Sequence, residues 1–168
     1  MEDVIINKVT QSSLITFSLE DLYDRHERAV FDMHQCLFQG LILREKDFRN
    51  FIAEFDWEQY RDKNIAIFCS TDAIVPTWAY MLLANKLEPV AHFVYFGSPA
   101  EMENAMLMSA LGKVNPTDYT DQRVVVKGCG EINIPTAAYV EVTRMLTPYV
   151  KSIMYGEPCS TVPIYKKR

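Results

Sequence analysis

The sequence predicts an α/β fold in a single domain: a mostly parallel sheet with helices on both faces and an N-terminal α+β extension. Three observations carry that reading. From residue 64 onward, short apolar runs alternate with amphipathic stretches joined by short connections, the pattern of stacked βαβ units. The chain has 168 residues, which suits one domain with a proper core. Its composition is 49% hydrophobic and 23% charged with only 6 Gly and 8 Pro, so the whole chain is expected to fold. The domain spans 1–168, with an N-terminal part at 1–63 and a βαβ core at 64–168.

Within the core, "NIAIFC" (64–69) is β-branched and aromatic and too short for a helix, so it reads as a buried strand. "VPTWAYMLLANKLE" follows as a helix, with Pro76 at its start and Trp78, Met81, Leu82 and Leu87 at helical spacing. "VAHFVYF" (90–96) is a second strand, with His92 as a hydrogen-bonded core histidine. "PAEMENAMLMSALGK" is a helix with acids in its first turn, where the macrodipole favours them, and Gly112 at its end. "RVVVKGCG" (123–130) is a third strand, "IPTAAYVEVTRMLTPYV" a third helix ending near Pro148, and "KSIMY" (151–155) a fourth strand.

Before residue 64 the signal is mixed. "LITFSLEDL" suits a strand running into a helix, "RAVFDMHQCLFQG" fits either period, and "LILREKDFRNFIAEF" has the spacing of a helix with a Glu45–Arg49 pair one turn apart. One or two strands and a helix are expected from this region. No internal repeat is visible at the residue level beyond the alternation itself.

Charge excludes some function classes. Residues 1–63 carry 8 Lys and Arg against 13 Asp and Glu, and residues 64–168 carry 9 against 9. No basic stripe marks a nucleic-acid partner. The N-terminus has two acids where a signal peptide has basic residues, and no run approaches a membrane span, which predicts a cytoplasmic protein with no membrane partner. In that reducing compartment the four cysteines are not expected to form disulfide staples.

In a parallel sheet, ligands bind beyond the carboxyl ends of the strands. Three cysteines fall there: Cys69, followed by Ser70, Thr71 and Asp72; Cys129, between Gly128 and Gly130; and Cys159, after Gly156, Glu157 and Pro158. Each is either a small buried hydrophobe or a working thiol. If they converge, Cys129, Cys159 and Cys69 form a soft ligand set for zinc or an iron–sulfur cluster, although no C-x-x-C pair is present. The binding set would be Cys69, Asp72, Lys127, Gly128, Gly130 and Glu157. Alternatively Cys129 acts alone, activated by Lys127 and a following helix N-terminus. "DMHQC" would align Asp32, His34 and Cys36 on a strand but not on a helix. "GCG" is no dinucleotide fingerprint, because Asn133 stands where the last Gly belongs.

At "GLILREKDFR", "AIVPTWAYMLL", "VVVKGCG" and "KSIMYGEPCSTVPIYKK" the chain resembles the uncharacterised bacterial proteins grouped as domain of unknown function 2480. The resemblance covers nearly the whole chain. It implies a bacterial cytoplasmic protein, supplies no catalytic residue, and implies proximity to sulfur-mobilisation genes, which favours a cluster over zinc. The resulting expectation is an accessory protein of iron–sulfur or sulfur metabolism, with iron–sulfur assembly proteins as partners. The alternative is a non-enzymatic small-ligand-binding or protein-interaction domain with structural cysteines. Finally, Pro158 and Pro163 make the C-terminal tail an arm on the end or edge of the sheet, anchored by Val162, Ile164 and Tyr165.

Overall fold

The computed structural model describes residues 14–128, 130–157 and 159–168. Seven strands form, β1 (Leu14–Phe17), β2 (Arg28–Asp32), β3 (Asn64–Phe68), β4 (Phe93–Phe96), β5 (Arg123–Val126), β6 (Ser152–Glu157) and β7 (Ser160–Lys166). The α-helices are α1 (Glu45–Glu54), α2 (Thr77–Leu87), α3 (Pro99–Leu111) and α4 (Thr136–Leu146). The expected core elements are all present, and the N-terminal region contributes two strands and one α-helix. Among the described residues no helix is long and apolar enough to cross a membrane.

The strands do not share one sheet, which corrects the expectation of a single parallel sheet. β2, β3 and β4 form a three-stranded parallel sheet, and β1, β5, β6 and β7 form a four-stranded one in which β7 runs antiparallel. The chain correspondingly divides into two compact units. Arg25–Glu103 is the central unit; residues up to Asp24 together with Asn104–Arg168 are the terminal unit. Each has its own core. Phe31, Met33, Phe48, Ile65, Leu83 and Leu87 are fully buried in the central unit. Leu19, Val124, Val142, Leu146 and Ile153 fill the terminal one. Burying each such aliphatic side chain contributes about 1.5–3 kcal/mol.

The two units are built to one plan, an internal repeat that the letters hide. α2 and α4 start and stop 59 positions apart, as do the 3₁₀ turns Trp57–Tyr60 and Pro116–Tyr119 and the first residues of β3 and β5. Asp62 and Asp121 both adopt positive φ, at 55° and 56°. Their N–H groups donate to the equivalent carbonyls of Val90 and Tyr149, at 3.0 and 2.9 Å. Phe48 and Ile52 of α1 match Leu107 and Leu111 of α3, all four buried. The first strand of each module obeys a different offset, because β1 and β2 lie 14 positions apart, each pairing with its own partner from its first residue: Leu14 with Arg123, Arg28 with Asn64. Each is followed by a 3₁₀ turn, Leu19–Leu22 or Met33–Cys36. Pro76-Thr77 and Pro135-Thr136 open the paired helices, Pro being suited to a helix start because its missing N–H is not needed there.

Two local expectations change. His92 precedes β4 rather than sitting within it; it is exposed and stacks on His26 with ring centroids 3.6 Å apart. The tail is an edge strand, β7, with a register shift opposite Ile153 and Met154, next to Pro163, which has no N–H to donate. Tyr165 packs on the terminal core as expected, but Val162 and Ile164 are 59% and 51% exposed and anchor little.

Candidate functional site

The terminal unit has a cleft of about 500 Å³ beyond the carboxyl ends of its parallel strands. That size suits a small metabolite, and the position is the one that open α/β sheets use for ligands. β1 ends at Phe17, and the chain turns through Ser18 into a 3₁₀ turn whose Leu19 is buried while Glu20 lines the cleft. β5 ends at Val126, where the Lys127 N–H still donates to the Phe17 carbonyl at 2.9 Å, so the Lys127 side chain leaves the sheet beside Glu20. Tyr155 of β6 and Tyr139 of α4 complete the wall, their rings edge to face at 5.7 Å.

Glu20 organises this cleft. One carboxylate oxygen accepts from the Ile132 N–H at 3.0 Å and the other lies 3.8 Å from Lys127 Nζ. A Cβ on Gly130 would fall inside that carboxylate, so any larger residue there would push the Glu20 side chain out of its present place. Gly128 is constrained by the other wall: a Cβ there would come within 2.6 Å of the Tyr155 ring, whose hydroxyl donates to the Gly128 carbonyl at 3.2 Å. The result is one cation, Lys127, two carboxylates, Glu20 and Glu131, loop backbone and two aromatic faces around one small space.

The central unit has a chemically different strand end at the equivalent place. Asp32 stands where Ser18 does, His34 where Glu20 does, Cys69 where Gly128 does and Thr71 where Gly130 does. Asp32 Oδ1 accepts from the His34 N–H at 2.9 Å and the Ser70 N–H at 3.0 Å, tying the ends of β2 and β3 together. Burial acts to raise the Asp32 carboxyl, but the Ser70 hydroxyl, the His34 and Ser70 N–H groups and the His34 charge outweigh it and hold it below its ordinary value. His34 Nδ1 lies 3.4 Å from Thr71 Oγ1, which lies 3.5 Å from Cys69 Sγ. Cys36 is buried; desolvation first, then Asp32 and Cys69, push its thiol up to about 12.

Of the residues expected to bind, Lys127, Gly128 and Gly130 line the terminal cleft, while Glu157 closes β6 outside it. Cys159 is an exposed free thiol in the turn before β7. Cys129 lies outside the described residues. Cys69 is half-buried and follows a strand of the other sheet, with Asp72 exposed in the same loop, so the loops after 69 and 97 and those after 129 and 156 do not leave one sheet. "DMHQC" is neither strand nor α-helix: β2 stops at Asp32 and a 3₁₀ turn carries His34 and Cys36. Glu20, Tyr139 and Tyr155 were missed. The usable signal was the match of "IVPTWAY" to "NIPTAAY", which pairs Tyr80 with Tyr139 at the 59-residue offset.

No curated protein and no solved structure matches the chain. A family model described as "Protein of unknown function (DUF2480)" matches residues 3–167, so the chain belongs to that family.

Proposed function

We propose that the protein binds a small molecule in the terminal cleft, with the Glu20–Lys127 pair reading its polar part and Tyr139 and Tyr155 its apolar part. The observation that carries this reading is the convergence of the Glu20–Lys127 pair, a second carboxylate at Glu131, both rings and the glycine loop at the ends of β1, β5 and β6. With glycine at 128 and 130 the loop leaves room for the Tyr155 ring and the Glu20 carboxylate where they now stand. The test is differential scanning fluorimetry of the full chain against amino acids, nucleosides, nucleotides and dicarboxylates. At a concentration of about a hundred times Kd a ligand stabilises by about 2.7 kcal/mol. The expected result is a shift in the wild type that Lys127→Met and Tyr155→Ala each abolish. A shift that survives both variants, or none across the panel, overturns the reading.

A second reading keeps the thiol. Cys129 stands between Gly128 and Gly130 in the sequence, the neighbourhood that motivates a sulfur species carried on its thiol by an accessory protein of iron–sulfur or sulfur metabolism acting with assembly proteins. A cluster or zinc fits the donors less well: among the described residues the terminal unit offers one cysteine, Cys159, and the central unit Cys36 and Cys69. Sulfur held on one thiol needs no such set. Anaerobic purification with metal analysis, visible absorption and persulfide labelling tests it; absence of metal, colour and persulfide overturns it.

A further inference from the structure

The internal repeat places a second strand end in the same backbone frame as the cleft, and its side chains are those of thiol chemistry. We propose that Cys69 is the reacting thiol of a separate site in the central unit, that Thr71 and His34 relay its proton, and that its substrate is a low-molecular-weight disulfide.

Two features distinguish this place from a chance cysteine. The first is the exchange at one structural position: where Gly130 leaves room for the Glu20 carboxylate, Thr71 puts a hydroxyl between an imidazole and a thiol. The helices behind the two sites both open with Pro-Thr-x-Ala-Tyr, so the two strand ends stand in corresponding places, where ligands bind, and carry different polar groups there. The second is the way the loops are held. Asp32 accepts N–H groups from both His34 and Ser70, which fixes the loop carrying the base against the loop carrying the thiol. Cys69 is half-buried and His34 exposed, so neither member of the pair is sealed in the core.

The step is thiol–disulfide exchange. The Cys69 proton passes to Thr71 Oγ1 as the Thr71 proton passes to His34; the Cys69 sulfur forms a bond to one sulfur of the disulfide, and the disulfide bond breaks. The leaving thiolate takes the proton from His34, so the products are a Cys69 mixed disulfide and one free small thiol, with the small disulfide as oxidant. Cys36 lies behind Cys69, but its thiol stays protonated up to about 12 and resolves the adduct slowly. The mixed disulfide therefore accumulates. The other ionisable groups around Cys69 are Asp32 and Tyr80, whose phenol burial raises first and then Cys69 and Asp32.

The experiment uses the full chain with cystamine, each cysteine followed by site-resolved mass spectrometry. Cys69 is expected to react about tenfold or more faster than Cys36 at pH 7, and His34→Gln and Thr71→Val each to slow Cys69 about tenfold, within the range of general base catalysis. Thr71→Ser restores the rate, and at high pH all variants converge because hydroxide replaces the relay. A Cys69 no faster than Cys36, rates unchanged in both relay variants, or slowing that persists at high pH overturns the proposal. The last outcome would mark His34 and Thr71 as structural. Ligand shifts at the terminal cleft are read separately and do not bear on this result.

Discussion

Gly130 and Cys36 show how single positions report on the two strand ends. A methyl group at 130 meets the Glu20 carboxylate, the end of a flexible side chain that can move aside, so Gly130→Ala should cost about 1 kcal/mol, the low end of overpacking. Adding Glu20→Ala should recover most of that loss, which chemical denaturation of the single and double variants measures; equal stability of both would show that the loop and Glu20 are not in contact. Cys36, 8% exposed, responds to pH. Its thiol rises from 9.0 to about 12 on folding, so between those values the unfolded chain has lost a proton that the folded chain keeps. The stabilisation is complete below 9.0 and is lost as pH rises towards about 12, at up to about 1.4 kcal/mol per pH unit. Cys36→Ala should flatten the decline of stability with pH in that window, and an unchanged slope would refute the assignment.

At the level of elements, β7 separates packing from mere adjacency. It closes the outer edge of β6, which matters because an open edge invites pairing with other chains. The strand is held by its ladder and by Tyr165, not by the apolar residues that attract attention in the sequence. Tyr165→Ala should therefore cost about 1–2 kcal/mol, less than full burial of a large side chain. Val162→Ser and Ile164→Ser should stay within about 0.5 kcal/mol, as exposed substitutions do. Thermal melts of the three variants decide it, and a large loss from Val162→Ser would mean that face is covered. α3 begins with a similar local device: Ser98 Oγ accepts the Glu101 N–H at 3.3 Å, and Glu101 Oε2 accepts the Ser98 N–H at 2.7 Å, a reciprocal cap.

For the molecule as a whole, the two cores predict two zones of stability. Phe31 lies in the central core against Phe51, Phe55, Trp57 and Tyr60, and Phe31→Ala removes that aromatic contact at a cost of about 3–5 kcal/mol. Native-state hydrogen exchange should then accelerate in β2, β3 and β4 more than in β5 and β6. Equal acceleration in both sheets would show one cooperative unit instead. The nesting of one module inside the other makes this test informative, since the terminal unit must bring β1 to β5 across the whole central segment.

Local physics made much of this legible in the sequence. The periods of "NIAIF" and "RVVV", the prolines before α2 and α4, and the acids opening α3 depend only on neighbours, so the elements and their order from residue 64 could be read directly. Lys127, Gly128 and Gly130 were legible too, because they follow a recognisable strand. Three things were not. Which strands share a sheet depends on pairing over long separations: Leu14 meets Arg123, and no local period encodes that choice. The repeat was hidden because a core accepts any apolar side chain of suitable volume, so Phe48 and Ile52 answer Leu107 and Leu111 in shape and not in letter. The contacts of Glu20, His34 and Thr71 came only with the fold, because polar side chains acquire partners through tertiary contact. The sequence alone determined the elements and the residues that follow each strand; the tertiary structure decided which strand ends stand together, and so which side chains line the terminal cleft.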